Sequence, residues 1–141
     1  MMQNSPTVLA VDDEAAIRDV LRKSLADAGY KVIAAGSGEE ALDAMAQSHP
    51  DLLLLDIKMP GLSGVQVLEK VRSLYPDTAV IMETAVADVN AAVDAMKAGA
   101  YDYVTKPFNL DEMLVRVERA RERRHLALQL KNYQKELEQR L

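Results

Sequence analysis

Four consecutive leucines, Leu52 to Leu55, constrain the fold of this chain more than any other feature of its sequence. They show no alternation of apolar and polar side chains, and an acid, Asp56, follows at once. A strand with one face in water alternates, whereas a strand covered on both faces is apolar throughout. The run therefore predicts a central strand of a parallel sheet with helices on both sides.

Short apolar runs alternate with stretches of helical spacing along most of the chain. Strands are predicted at residues 7–11, 31–34, 52–55, 79–82 and 102–104. Helices are predicted at residues 13–28, from 37 onward, at 64–74 and 88–97, and from 110 onward. Parallel strands need helix-length crossovers, and these crossovers are right-handed, so the order predicts a doubly wound α/β fold around a five-stranded parallel sheet.

Side chains in the predicted fourth strand and fourth helix give expectations about which residues face the core. Val89, Val93 and Met96 recur at helical spacing, so we expect them to face the core. Glu83 stands where a central strand should be apolar. It is expected either at a polar edge of the sheet or beside a cationic partner, and both alternatives stay open.

Composition narrows the class of protein. A net charge of −5 over 141 residues argues against nucleic acid as a direct partner. The absence of cysteine excludes disulfides and thiolate metal sites. No segment approaches the roughly 20 apolar residues that a membrane span needs. We therefore expect a cytoplasmic domain without a membrane partner.

Polar residues gather where the predicted strands end. The first strand ends in Asp12-Asp13, the third in Asp56 and the fourth in Thr84, and Lys106 closely follows the fifth. In open α/β sheets the ligand site lies outside the carboxyl ends of the strands. Three carboxylates in one cleft need a cation, and oxygen-only ligands favour Mg²⁺. An ammonium and a hydroxyl beside them suit phosphoryl transfer.

Each of these residues also has an ordinary interpretation. An Asp-Asp pair is more often a helix N-cap, a threonine at a strand end is usually only a β-branched residue, and a lysine is usually solvated. Asp56 is a stronger indication, because a charge so close to a buried strand needs a reason. The combination favours a functional site.

Four short motifs point to a known family: Val11-Asp-Asp-Glu14, Leu55-Asp-Ile-Lys-Met-Pro-Gly61, Thr84-Ala85 and Lys106-Pro-Phe108. In this order and spacing they resemble the receiver domain of two-component response regulators, over roughly residues 6–122. The resemblance implies a flavodoxin-like fold with strand order 2-1-3-4-5.

The resemblance also implies the chemistry of the site. Asp56 would accept a phosphoryl group from a sensor histidine kinase. Asp13, Asp56 and the backbone carbonyl of Lys58 would bind Mg²⁺ directly, and Asp12 would act largely through water. The chain would then be a switch that catalyses its own phosphorylation and dephosphorylation, and not a turnover enzyme.

The same resemblance implies how phosphorylation is transmitted. Lys106 would pair with the phosphoryl group, and its bond to Pro107 would be cis. Thr84 would be drawn toward the phosphoryl oxygens, and Tyr103 would turn into the space vacated. Tyr103 could equally be a strand tyrosine with its hydroxyl at the surface. The readout surface would comprise the fourth helix, the fifth strand and the fifth helix.

The C-terminal segment has neither proline nor glycine from residue 110 to residue 141. A single helix of these 32 residues would span about 48 Å, so the part after Glu122 is expected to leave the domain. Residues 123–141 are predicted to form a helical linker with a short coiled-coil seam, and to dimerise the chain. Its apolar stripe comprises Leu126, Leu130, Tyr133, Leu137 and Leu141. A basic cluster before it, Arg119, Arg121, Arg123 and Arg124, is expected to be a solvated face.

The output of the switch is open at this point. We expect a receiver and linker that serve a longer protein, whose effector could be an HD-type cyclic-dinucleotide phosphodiesterase or an AAA+ transcriptional activator. Two other functions compete with the switch. One is a haloacid-dehalogenase-type phosphatase, although its usual spacing of two aspartates is absent. The other is a degenerate receiver that serves only protein contacts or dimerisation, for which Glu83 is the best support.

Overall fold

The computed structural model of the chain describes residues 5–140. Its strands are β1 Thr7–Val11, β2 Lys31–Ala35, β3 Leu52–Asp56, β4 Ala79–Ala85 and β5 Asp102–Lys106. Its helices are α1 Ala15–Asp27, α2 Gly38–Ser48, α3 Gly64–Leu74, α4 Val89–Lys97 and α5 Leu110–Arg140, with a 3-10 turn at Val86–Asp88. No helix within these described residues is both long and apolar enough to cross a membrane.

The five strands form one parallel sheet in the order β2-β1-β3-β4-β5. This order confirms the predicted flavodoxin-like, doubly wound α/β fold. The four leucines of β3 are at most 1% exposed, as a strand covered on both faces requires. Leu53 and Leu55 pack toward α2, α3 and α4, and Leu52 and Leu54 pack toward α1 and α5. Two cores therefore lie on opposite faces of β3.

Strands β4 and β5 are longer than the sequence predicts. β4 continues from Met82 to Ala85, and β5 continues to Lys106. Most of the extra residues are polar, but backbone pairing continues through them, with Ala85 opposite Lys106. Apolar patterning cannot detect this extension, because ladder hydrogen bonds do not depend on the side chain.

The predicted orientation of α4 is wrong. Ala92 and Ala95 are the residues that bury against the sheet, whereas the large side chains point outward. The exposed residues are Val89, Val93 and Met96. Alanine lets the helix lie close to the sheet, and helical spacing alone does not tell which of two apolar faces is inside.

Helix α5 is continuous, and its contacts with the domain extend beyond residue 122. Met113, Val117 and Ala120 are buried in the core between α5 and the sheet. Further along, Arg124 Nε donates to the carbonyl of Asp77 at 2.8 Å, and Lys131 Nζ lies 2.9 Å from the Asp77 carboxylate. We call the contacts of Asp77 with Arg124 and Lys131 the basal clamp. It lies at the end of the sheet opposite the carboxyl ends of the strands. Leu141 lies outside the described residues.

We expect Asp77→Ala to loosen α5 beyond Arg124. The substitution removes the carboxylate that pairs with Lys131, a contact between half-exposed side chains, so the effect is about two- to fivefold. Amide hydrogen exchange between residues 124 and 134 should become faster by this factor. Asp27→Ala, on the exposed surface of α1, is the matched control. Unchanged exchange in Asp77→Ala would show that the basal clamp does not hold the helix.

Candidate functional site

The carboxyl ends of β1, β3 and β5 bring two carboxylates and one ammonium together. Asp12 follows β1, Asp56 ends β3 and Lys106 ends β5. Lys106 Nζ lies 2.6 Å from Asp12 Oδ2 and 2.9 Å from Asp56 Oδ2. Asp12 is fully buried and Asp56 is 5% exposed, so water screens these charges poorly. Lys106 therefore holds two anions at the end of the central strands.

Asp13 completes an acidic cluster with these two aspartates. One carboxylate oxygen from each of Asp12, Asp13 and Asp56 lies within 4.8 Å of the others, and Asp13 is open to solvent. The backbone N–H of Lys58 donates to Asp56 Oδ1 at 3.3 Å, which places the Lys58 backbone beside the cluster. A donor set made only of oxygen, with one side open to water, fits Mg²⁺.

The protonation of Asp56 and Lys106 is set by two opposing effects. Burial raises the pKa of Asp56 above its ordinary value, and the hydrogen bond and charge of Lys106 act in the opposite direction. Burial also disfavours the charge on Lys106, but its hydrogen bonds to Asp12 and Asp56 outweigh burial and raise its pKa. Lys106 therefore stays positively charged beside these two carboxylates.

Glu83 lies inside the sheet, in register with Asp56 on one side and Val104 on the other. It is fully buried, and neither carboxyl oxygen has a hydrogen-bond partner among the described residues. Burial, followed by the charge of Asp12, raises the pKa of Glu83 well above its ordinary value. Glu83 is not on an edge strand, and it forms no ion pair within residues 5–140. The charge of Lys106 nevertheless acts on it and opposes part of the rise in its pKa.

Thr84 and Tyr103 lie on the other face of the sheet. Thr84 Oγ1 is within hydrogen-bond distance of two carbonyl oxygens, those of Ala85 at 3.2 Å and Asp88 at 3.4 Å. Tyr103 is partly buried against the core beneath α4, with the Arg116 guanidinium 5.9 Å from its ring centroid. The hydroxyl of Thr84 is thus bound by the turn after β4.

The peptide bond between Lys106 and Pro107 is cis, as the resemblance implied.

Two further residues of the site were not identified by the sequence analysis. Asp88, in the turn after β4, pairs its carboxylate with Lys58 Nζ at 3.1 Å. Gly64 begins α3, and a Cβ there would clash with the carbonyl oxygen of Asp56. The position of Gly64 at a predicted helix start was a sequence signal that could have identified it. No local sequence pattern marks Asp88.

Comparison with known proteins identifies the family. Residues 8–118 match the model of the response regulator receiver domain. The chain is 42% identical over 130 residues to the regulatory protein AtoC of Escherichia coli K12, covering 92% of this chain and 27% of AtoC. It is 45% identical over 113 residues to the DNA-binding transcriptional regulator NtrC of the same strain, covering 80% of this chain and 24% of NtrC.

A solved structure gives the same assignment. The crystal structure of NtrX from Brucella abortus superposes with a TM-score of 0.89 at 32% sequence identity, covering 92% of this chain and 30% of that chain. This chain spans about a quarter of the length of AtoC and NtrC. With residues 8–118 matched and the strand order observed, the chain belongs to the receiver domains of two-component response regulators.

Proposed function

We propose that this chain is a phosphorylation switch in which Asp56 accepts a phosphoryl group from the histidine of a sensor kinase. The observation that carries the proposal is the position of Asp56, at the end of the central strand, 2.9 Å from Lys106 Nζ and clustered with Asp12 and Asp13. An anionic nucleophile, an ammonium and a hard-cation site are the parts that phosphoryl transfer requires.

Asp13, Asp56 and the Lys58 carbonyl would hold Mg²⁺, with Asp12 acting largely through water. The ion would polarise a phosphoryl oxygen and shield the attack of one anion on another. An Asp56 oxygen forms a bond to phosphorus while the bond between phosphorus and the kinase imidazole nitrogen breaks. Lys106 exchanges part of its contact with Asp56 for a phosphoryl oxygen, which keeps its positive charge compensated.

The conformational change that follows phosphorylation then involves Thr84 and Tyr103. The Thr84 hydroxyl leaves the carbonyls of Ala85 and Asp88 for a phosphoryl oxygen, and the partly buried Tyr103 turns further inward, into the space that Thr84 vacates. The readout surface is the face built from α4, β5 and α5. Exposed apolar side chains support this surface, namely Val86, Val89, Val93 and Met96.

Phosphorylation in solution tests the proposal. We expect the protein to take up one phosphoryl group from a small acyl phosphate or phosphoramidate when Mg²⁺ is present. The product should be labile to acid and base, as an acyl phosphate is, and a chelator should reduce uptake to background. Absence of uptake would favour a degenerate receiver, and sustained hydrolysis of a phosphate monoester would favour a phosphatase. Either result would overturn the switch.

The output of the switch is proposed to act on transcription. NtrC is a DNA-binding transcriptional regulator, and AtoC is a regulatory protein. Of the two effectors that the linker suggests, the AAA+ activator acts on transcription and the HD-type phosphodiesterase does not. The reading frame beyond residue 141 tests this choice, and an HD-type domain there would contradict it.

Dimerisation through the linker is the second part of the proposal. Four residues of the predicted stripe lie 44–63% exposed along one side of α5: Leu126, Leu130, Tyr133 and Leu137. Water contact along such a stripe is unfavourable, and a second helix would remove it.

We expect sedimentation to show a dimer whose dissociation depends on concentration. Leu130→Lys should shift the protein to monomer, because it places a charge in the centre of the stripe. Leu74→Lys changes a comparably exposed leucine on α3 and is the matched control. A wild-type mass that stays monomeric at every concentration would rule the dimer out.

A further inference from the structure

An ion pair joins the two loops that flank the candidate phosphoacceptor. Lys58 lies two residues after Asp56, between β3 and α3, and Asp88 lies in the turn between β4 and α4. Lys58 Nζ is 3.1 Å from Asp88 Oδ2. The lysine side chain is 76% exposed and the aspartate side chain 24%, so the pair is partly protected from solvent on one side.

Asp88 also contacts the switch residue through its backbone. Its carbonyl oxygen lies 3.4 Å from Thr84 Oγ1, and the backbone N–H of Lys58 donates to Asp56 Oδ1. A chain of contacts therefore runs from Asp56 through Lys58 and Asp88 to the hydroxyl of Thr84. Asp88 is the residue at which the two loops meet.

We propose that the Lys58–Asp88 ion pair is a resting-state latch that opposes the movement of Thr84. This inference rests on the proposed function. For the Thr84 hydroxyl to reach a phosphoryl group on Asp56, it must give up the carbonyl of Asp88, and the turn that carries this carbonyl must be free to move. The ion pair tethers the turn to the loop after β3. Lys58 and Asp88 are thus positioning residues, and they lower the population of the switched conformation.

The size of the effect follows from the exposure of the pair. Ion pairs with one solvated partner shift an equilibrium by about two- to fivefold. Breaking the latch should raise the rate of phosphorylation by a small phosphodonor by this factor. The turn at residues 84–89 should also exchange its amide hydrogens faster in the unphosphorylated protein without Mg²⁺.

The experiment compares Lys58→Met, Asp88→Asn and the double variant with the wild type. Both single substitutions keep the backbone groups, and Asp88→Asn keeps the size of the side chain. If the pair acts as one unit, the double variant is no faster than either single one. Asp88→Glu, which retains the charge, should restore most of the wild-type rate. Asp94→Asn, on the exposed side of α4, is the matched control and should change neither measurement.

Two results would overturn the latch. One is a phosphorylation rate in Lys58→Met and Asp88→Asn equal to that of Asp94→Asn, together with unchanged exchange at residues 84–89. The other is a double variant in which the effects of the two single substitutions add fully, because additivity is the result expected of independent residues. Failure of the proposed function is distinguishable, because the wild type would then not be phosphorylated at all, while the exchange measurement would still test the latch.

Discussion

Asp56→Asn is expected to abolish acid-labile phosphorylation by a small phosphodonor with Mg²⁺. The rate should fall by at least about 1,000-fold, because an amide oxygen is neutral and cannot form an acyl phosphate. Asparagine has nearly the same shape, and its oxygen can still accept a hydrogen bond from Lys106, so the fold should be retained. The measurement is the incorporation of labelled phosphate per chain, with the unfolding midpoint recorded for each variant.

The neighbouring acids make this test specific. Asp13, which is exposed, and Asp12, which is fully buried against Lys106, are the two other carboxylates of the cluster. Either could in principle accept the phosphoryl group in place of Asp56. Asp43→Asn, on the exposed face of α2, controls for the loss of one negative charge from the surface. Undiminished labelling of Asp56→Asn would show that the nucleophile is another residue, and peptide mapping would identify it.

Glu83→Met is expected to stabilise the protein at neutral and alkaline pH. Within residues 5–140 the buried carboxyl forms no ion pair, and the charge of Asp12 adds repulsion to the cost of burial, against a smaller attraction to Lys106. An apolar side chain of similar volume removes both costs, so the free energy of unfolding should rise by about 2 kcal/mol. Urea unfolding in Mg²⁺-free buffer measures it. Glu69→Met, on the exposed surface of α3, should change stability by less than about 0.5 kcal/mol.

The pH dependence of this effect has a definite sign. Unfolded Glu83 titrates at its ordinary pKa of 4.5, and in the folded protein burial raises that pKa. Between the two values the folded state holds the additional proton, so stability is greatest below the unfolded value and is lost as the pH rises toward the folded one. The slope is at most about 1.4 kcal/mol per pH unit. Glu83→Met should lose the part of this slope that Glu83 contributes, and a variant that keeps the full wild-type slope would contradict the assignment.

Much of the architecture was predictable because its signals are local. The unbroken leucines of β3 indicated a central parallel strand, and the alternation of strands and helices indicated the doubly wound sheet. The ends of the strands were harder to predict. Residues 83–85 and 105–106 extend β4 and β5 through backbone pairing, which leaves no mark on side-chain polarity. Helix α4 was misoriented for a related reason, since apolar character alone does not choose between alanines and larger side chains.

Asp56, Asp12, Asp13 and Lys106 were selected from the sequence alone, because the covalent order of the strands places their ends at one edge of a parallel sheet. What the sequence by itself determined is therefore the fold and the membership of this polar cluster. Only the tertiary structure decided the environment of Glu83, the acceptor of the Thr84 hydroxyl and the pairing of Lys58 with Asp88. Burial and pairing depend on which distant segments come together, and no local pattern of residues encodes that contact.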